Sequence, residues 1–114
     1  ACKVAVSKLI LVLGHTGCGA VKGACDDVRM GNLTTLLEKI RPAVDDTVTT
    51  GERNSSNAAF VQDVALRNVQ IALQRIPQRS PILKEMLDQG RIMLAGAMYD
   101  VATGQVGIVK PPVP

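Results

Sequence analysis

The sequence predicts an α/β fold, in which part of a mainly parallel sheet is flanked by helices and closed by a β-hairpin. Three observations lead to this prediction. An all-aliphatic run from Lys8 to Leu13 is typical of a strand that is buried on both faces. Apolar residues with helical spacing fill the middle of the chain. Two short apolar runs, separated by a turn around Thr103-Gly104, end it.

The first part of the chain is expected to contain a helix end, the strand and two helices. Ala1 to Ser7 is interpreted as the end of a helix that enters without a cap. A helix from about Cys18 to Val28 follows the strand. A further helix is expected to begin after an Asn32 cap and to stop at Pro42. Its apolar residues have i, i+3, i+4, i+7 spacing: Leu33, Leu36, Leu37 and Ile40.

The middle of the chain is expected to be a loop and then the longest helix. Val44 to Asn57 is polar, threonine-rich and aperiodic, which predicts an exposed loop. The next segment has one apolar stripe of helical period, and the helix is expected to end at Pro77. The stripe consists of Val61, Val64, Ala65, Val69, Ala72, Leu73 and Ile76.

The last part of the chain is expected to be a short helix and the closing hairpin. Ser80 is a suitable cap and Pro81 a suitable first helical residue, so they predict a helix that Gly90 ends. The two strands are expected at Ile92 to Tyr99 and at Gln105 to Val109. The sequence thus predicts a domain over residues 1–109 and an extended, proline-rich tail over residues 110–114.

Composition narrows the class of protein. The chain has 114 residues, of which 46% are hydrophobic, and it contains two aromatic residues and no Trp, so it can build an aliphatic core. Its net charge of +3 is small, and its basic residues are scattered along the sequence rather than clustered, which argues against nucleic acid as a partner. No apolar run approaches the roughly 20 residues of a membrane span, so no membrane partner is expected.

Cysteine usage bears on the compartment. The three cysteines have no disulfide-framework spacing, which favours a reducing compartment and hence a cytoplasmic location. A removed leader stays open as an alternative, because the sequence begins at Ala1.

The candidate metal ligands are His15 and Cys18. His15 is the only histidine and follows the strand that stops at Gly14, and Cys18 comes three residues later. Imidazole nitrogen and thiolate sulfur are ligands that zinc prefers, and open α/β sheets place their sites at the carboxyl ends of strands. Gly17 and Gly19 flank Cys18 and let the backbone turn tightly around an ion.

Other roles for these residue types also fit the spacing. A lone histidine after a strand is more often a hydrogen-bonded structural residue than a ligand, so a structural role for His15 stays open on spacing alone. In one helix, Cys25 would lie about 10 Å from Cys18 along the axis, too far to share one zinc ion. Cys25 is therefore expected to be a small buried hydrophobe, and Asp100 is expected to serve a turn.

The run from Gly14 to Ala20, Gly-His-Thr-Gly-Cys-Gly-Ala, resembles the second zinc motif of the β-class carbonic anhydrases. Further segments resemble that family in the same order: Lys22-Gly23-Ala24, Gly31-Asn32-Leu33, Ile40-Arg41-Pro42-Ala43-Val44 and Leu94 to Gly104. The resemblance covers nearly the whole chain but only the second half of the family's domain. It implies a zinc cofactor with His15 and Cys18 as two of three protein ligands. It also implies reversible hydration of carbon dioxide to bicarbonate and assembly as a homodimer or higher oligomer.

The family's first motif is absent from this sequence. In the family, Cys-x-Asp-x-Arg on an earlier strand brings the first zinc thiolate and an Asp–Arg pair that orients the catalytic water. Asp26-Asp27-Val28-Arg29 lies after the His-x-x-Cys motif and has no cysteine at the needed position, so no catalytic residue is assigned in this chain. Cys2 falls where the family has an apolar helix and is expected to be packing.

Three functions therefore compete. The first is part of a β-class carbonic anhydrase, a carbonate dehydratase and thus a lyase, whose first motif is supplied from elsewhere. The second is a shortened, non-catalytic family member that binds metal or a small anion. The third is an α/β binding module that holds phosphate on helix amides. The third has weak support, because Gly14, Gly17 and Gly19 give Gly-x-x-Gly-x-Gly, which is neither usual phosphate fingerprint.

Overall fold

The computed structural model describes residues 8–110 and confirms the α/β architecture. The predicted helix end at Ala1 to Ser7, Cys2 within it, and residues 111–114 of the tail lie outside the described residues. In chain order the elements are β1 (Leu9–His15), α1 (Gly19–Cys25), α2 (Gly31–Glu38), α3 (Arg41–Asp46), α4 (Ala58–Arg79), α5 (Pro81–Asp88), β2 (Met93–Tyr99) and β3 (Val106–Val109).

The described strands form one sheet in the order β1-β2-β3. β1 pairs in parallel with β2, from Leu9 opposite Met93 to His15 opposite Tyr99. β2 then pairs antiparallel with β3, which confirms the closing hairpin. Within residues 8–110, β1 therefore has one paired edge and one open edge.

Asp100 closes the hairpin turn, as expected. Its carboxylate accepts a hydrogen bond from the Ala102 amide at 2.9 Å, and its carbonyl accepts one from the Gly104 amide at 2.8 Å. Gly104 has a φ of +77°, which a residue with a side chain rarely adopts. The turn chemistry thus accounts for Asp100 without a catalytic role.

Helix α4 packs against one face of the sheet because two strand glycines let it approach closely. A Cβ atom on Gly96 would lie 2.8 Å from Cδ1 of Leu73 and 2.9 Å from Cγ1 of Val69. One on Gly14 would lie 2.8 Å from Cγ2 of Val69. Phe60 is the only aromatic side chain in the core of residues 8–110, and it is fully buried.

Replacing Gly96 by alanine is expected to lower the free energy of unfolding by about 1–3 kcal/mol, because the added methyl overpacks the contact with α4. Urea unfolding of Gly96→Ala measures this cost. Gly107→Ala is the matched control, since a Cβ on that β3 glycine meets nothing within 4 Å. Equal unfolding midpoints for the two variants would contradict the close packing of α4 on β2.

The expectation that β1 is buried on both faces is wrong for the described residues. Its side chains alternate: Ile10 and Val12 are partly covered on the α4 side, whereas Leu9, Leu11 and Leu13 are 49–55% exposed on the other. The sheet register continues this exposed side onto β2 and β3. We call it the open sheet face: Leu9, Leu11, Leu13, Met93, Val106 and Ile108. The aliphatic run suits two covered faces, but the helices of residues 8–110 cover only one.

Two predicted boundaries around α2 and α3 are also wrong. The N-cap of α2 is Met30 rather than Asn32, and its amide donates to Oγ1 of Thr34 at 2.8 Å. Pro42 lies in the first turn of α3 instead of ending a helix, because a first turn needs no amide hydrogen from it. Helix α3 consequently occupies the first three residues of the segment predicted to be a loop, 44–57.

Pro77 does not end α4, contrary to the sequence prediction. The helix continues to Arg79, and the Ser80 amide donates to the Ile76 carbonyl at 3.1 Å, which closes the last turn. The next boundary is confirmed: the Ser80 hydroxyl accepts from the Leu83 amide at 3.3 Å, with Pro81 as the first residue of α5. Gly90, with a φ of +70°, follows α5.

Two charged side chains hold the loop between α3 and α4. Arg53 donates to the carbonyls of Thr47 at 2.7 Å and Val44 at 2.8 Å. The carboxylate of Asp26 accepts from the Ser55 amide at 2.7 Å and from the Ser55 hydroxyl. These hydrogen bonds, that of the hydroxyl above all, lower the pKa of Asp26. The loop is thereby tied to the carboxyl end of α1.

Candidate metal site

His15 is the last residue of β1, and its ring is oriented by the backbone. Its Nδ1 lies 2.8 Å from the carbonyl oxygen of Thr16. A carbonyl oxygen only accepts, so Nδ1 carries the hydrogen in this contact, and in the neutral ring Nε2 then keeps the lone pair. The side chain is exposed. His15 is thus in the tautomer that coordinates a metal through Nε2.

Thr16 fixes the turn that joins His15 to Cys18. Its amide donates to the Tyr99 carbonyl at 3.0 Å, and its hydroxyl accepts from the Val101 amide at 3.1 Å. Gly17 then adopts a φ of +63°, which reverses the chain. The end of β2 and the hairpin turn therefore hold the His-x-x-Cys segment in place.

Cys18 is the N-cap of α1 and is half-buried. Its carbonyl accepts from the Lys22 amide at 3.0 Å, and Gly19 is the first helical residue. The positive end of a helix dipole favours negative charge, so this position suits a thiolate. Cys25, at the other end of the same helix, is buried, and burial raises the pKa of its thiol. This confirms the packing role expected of Cys25.

His15 and Cys18 line one pocket of about 170 Å³ at the carboxyl end of β1. Its other walls come from β1, α1 and α4, and are apolar apart from Asn68: Val12, Leu13, Gly14, Val21, Ala65, Val69 and Ala72. The structure thus brings the two sequence-predicted ligands to the same cavity.

The described residues do not complete a metal site. Within residues 8–110, no group of three His, Cys, Asp or Glu side chains is placed to hold a metal ion. Nitrogen and sulfur donors on a tight turn fit the chemistry of zinc, but a zinc site takes at least three protein ligands. His15 and Cys18 therefore fit as part of a zinc site rather than as the whole of one.

The acidic and basic residues from Asp26 to Arg29 lie elsewhere and serve a structural purpose. Asp27 pairs with Arg29 at 3.1 Å and with Arg41 at 2.6 Å, so it links the end of α1 to α3. The hydrogen bond from Arg29 and the charges of both arginines hold the pKa of Asp27 below its usual value. None of the three residues lines the pocket of His15 and Cys18.

Sequence reasoning missed two residues of this region. Thr16 lies inside the His-x-x-Cys segment, but its hydrogen bonds to Tyr99 and Val101 form only because β1 pairs in parallel with β2. The spacing of residues along the sequence does not show that pairing. Asn68 lies on α4 between Ala65 and Ala72, with the helical spacing of the apolar stripe. A polar residue interrupting that stripe is the signal that could have indicated it.

The fold and this pocket define an α/β protein with His15 and Cys18 in one cavity at the carboxyl end of a parallel strand. The family model described as carbonic anhydrase matches residues 1–106, and the chain belongs to the carbonic anhydrase family. No curated protein is similar at a significant level. Among residues 8–110, no helix is both long and apolar enough to cross a bilayer.

Solved structures confirm the fold as that of the β class. The β-carbonic anhydrase CafA of Aspergillus fumigatus has a TM-score of 0.83 and 26% identity, over 100% of this chain and 54% of its own. The Coccomyxa β-carbonic anhydrase in complex with acetazolamide has a TM-score of 0.80 and 23% identity, and the match covers 98% of this chain and 51% of that one. One of the structures described as two tetrameric β-carbonic anhydrases from Sordaria macrospora has a TM-score of 0.78 and 20% identity, and the match covers 99% of this chain and 57% of that one. The chain therefore spans about half the length of these structures.

Proposed function

We propose that this chain supplies His15 and Cys18 to the zinc site of a β-class carbonic anhydrase that hydrates carbon dioxide reversibly to bicarbonate. The observation that carries the proposal is the shared pocket: both residues of the His-x-x-Cys segment line one cavity, with Nε2 of His15 left available. Membership of the carbonic anhydrase family supports the reaction. In this proposal the third protein ligand comes from outside residues 8–110.

The chain's own residues would have separate tasks at such a site. Zinc, when bound, supplies the Lewis acidity that makes water reactive near neutral pH. The Thr16 carbonyl keeps the His15 ring turned so that Nε2 faces away from the backbone contact. The apolar walls suit a small uncharged molecule such as carbon dioxide, and Asn68 adds one hydrogen-bonding side chain.

The proposal extends to partners and location. We propose a homodimer or higher oligomer, which the tetrameric enzymes named for Sordaria macrospora support. Carbon dioxide and bicarbonate are the proposed small-molecule partners, without nucleic acid or membrane. A cytoplasmic location is proposed from cysteine usage.

A second function, a non-catalytic family member that binds metal or a small anion, rests on one observation. The described residues hold two candidate ligands and no third. A chain that binds metal weakly and never completes the site would fit this function. Carbon dioxide hydration by this chain joined to a segment with the Cys-x-Asp-x-Arg motif separates the two functions, because an active joined protein favours the first and an inactive one favours the second.

The 114-residue chain is expected to bind zinc weakly and to lose it to a mild chelator, because two ligands leave the coordination sphere open. Equilibrium dialysis with metal analysis measures this. Each of His15→Ala and Cys18→Ala should reduce the bound zinc further, whereas Cys25→Ala, the matched thiol control, should not. Stoichiometric, chelator-resistant zinc in this chain would contradict the prediction and indicate Cys2 or a second chain as the source of a ligand.

A further inference from the structure

Thr16 connects the hairpin turn to the ring of His15 through its own polar groups. Its amide donates to the Tyr99 carbonyl at 3.0 Å, and its hydroxyl accepts from the Val101 amide at 3.1 Å. Its carbonyl oxygen lies 2.8 Å from Nδ1 of His15. The amide, the hydroxyl and the carbonyl of this one residue are thus all engaged in hydrogen bonds.

The bond of the Thr16 hydroxyl is the part of this arrangement that depends on the side chain. The amide bond to Tyr99 continues the parallel pairing of β1 with β2, and any residue except proline can form it. A residue held by one hydrogen bond can still pivot about it. The second bond, from the Val101 amide to Oγ1, fixes the direction of the Cα–Cβ bond as well. Because the carbonyl is attached to the same Cα, its direction is restricted too.

Gly17 makes this restriction necessary. It shares a peptide unit with the Thr16 carbonyl and has a φ of +63°. A glycine has no side chain to limit the rotation of the peptide unit that precedes it. The direction of the Thr16 carbonyl is therefore set by the groups that hold Thr16 rather than by the residue that follows it.

The direction of this carbonyl bears on which nitrogen of His15 can bind a metal. In water a neutral histidine ring carries its hydrogen mainly on Nε2. The contact with the Thr16 carbonyl instead requires the hydrogen on Nδ1, and Nε2 then keeps the lone pair. The partner of the second ring nitrogen fixes the tautomer and the ring orientation of a ligating histidine.

We propose that Thr16 is a positioning residue, whose hydroxyl anchors the His-x-x-Cys segment to the hairpin turn and thereby holds His15 in the tautomer that binds zinc through Nε2. This inference rests on the proposed function, in which His15 is a zinc ligand. It adds that the hairpin turn acts on the metal ligand through one side-chain hydrogen bond.

Thr103 provides the comparison with a merely structural role. Its hydroxyl accepts from the Gln105 amide at 3.2 Å in the same hairpin turn. Both threonine hydroxyls therefore accept from one backbone amide of the hairpin, but only that of Thr16 joins the hairpin to the His-x-x-Cys segment. If Thr16 served only to stabilise the hairpin, the loss of either hydroxyl would affect His15 alike.

The zinc-free chain reports the tautomer directly, because His15 is its only histidine. With isotopically labelled histidine and no histidine tag, nitrogen NMR at an alkaline pH, where the ring is neutral, gives the fraction with hydrogen on Nδ1. The unmodified chain and Thr16→Ser should carry it mainly on Nδ1. Thr16→Val keeps the shape but loses the acceptor, so it should move the hydrogen towards Nε2. Thr103→Val should not.

An independent variant removes the same hydrogen bond from its other end. Val101→Pro takes away the amide hydrogen that Thr16 accepts, and proline is tolerated early in a turn. It should shift the tautomer in the same direction as Thr16→Val, and circular dichroism checks that both variants keep the fold. Hydrogen mainly on Nε2 in the unmodified chain would overturn the proposal without reference to any variant.

Zinc affinity is the second readout. Equilibrium dialysis should show binding about threefold to tenfold weaker for Thr16→Val, as expected for one lost hydrogen bond behind a ligand, and unchanged binding for Thr16→Ser and Thr103→Val. The proposal is overturned if either readout is the same in Thr16→Val as in the unmodified chain, or if Thr103→Val changes both equally. Failure of the proposed function is distinguishable: the chain joined to a Cys-x-Asp-x-Arg segment would be inactive while the tautomer still depended on Thr16.

Discussion

The 114-residue chain by itself is expected to show little or no hydration of carbon dioxide. The same chain joined to a segment that carries Cys-x-Asp-x-Arg is expected to be active. A catalytic zinc site needs three protein ligands and one open position, and a second group must orient the reacting water. His15 and Cys18 meet the first need only in part, and no catalytic residue for the second has been assigned in this chain. Stopped-flow assay with added zinc compares the two proteins.

Single variants of the joined protein test the ligand assignment. His15→Ala and Cys18→Ala should each lower kcat/KM by more than about 100-fold, because loss of a ligand exceeds the 10–100-fold cost typical of outer-shell changes. Cys25→Ala should retain most of the activity, since Cys25 is a buried packing residue. Full turnover by the chain alone would show that no further motif is needed. Undiminished activity after Cys18→Ala would overturn the zinc assignment, and an inactive joined protein would favour the non-catalytic function.

The site was predictable from sequence where local chemistry decides the structure. His15 and Cys18 are three residues apart on a glycine-containing turn, so they lie close to each other whatever packs around them, and both line one cavity. Asn68 reaches the same cavity from α4, and the packing that places it there depends on the absence of side chains at Gly14 and Gly96. Spacing along the chain carries no information about that approach.

The fold shows the same division between local and distant causes. Ser80 and Pro81 act within one turn, so their cap was predicted and is confirmed. The sequence pattern predicts helix stops at both Pro42 and Pro77, but Pro42 lies in a first turn and Pro77 lies inside α4. A proline ends a helix only when its missing hydrogen bond outweighs the packing that continues on either side. That packing is tertiary, and the sequence pattern does not show it.

The one-sided burial of β1 has a physical consequence for assembly. When one side of an apolar strand faces water, the folded state forgoes about 25 cal/mol of stabilisation for each Å² of apolar surface left exposed. The open sheet face carries six large apolar side chains, and Ile108 is 77% exposed. A folded chain is therefore driven to cover this face.

The chain is expected to sediment as a dimer or larger oligomer that covers the open sheet face. Leu11→Glu with Ile108→Glu should weaken self-association by more than about 100-fold, since each substitution puts a charge where apolar surface is buried. Sedimentation velocity over a concentration series measures the shift, and circular dichroism checks that the fold remains. Ile82→Glu is the control, because Ile82 is 52% exposed but lies on α5, away from the sheet. A stable, sharply melting monomer of the unmodified chain would contradict the prediction, because it would show that the open sheet face can remain in water.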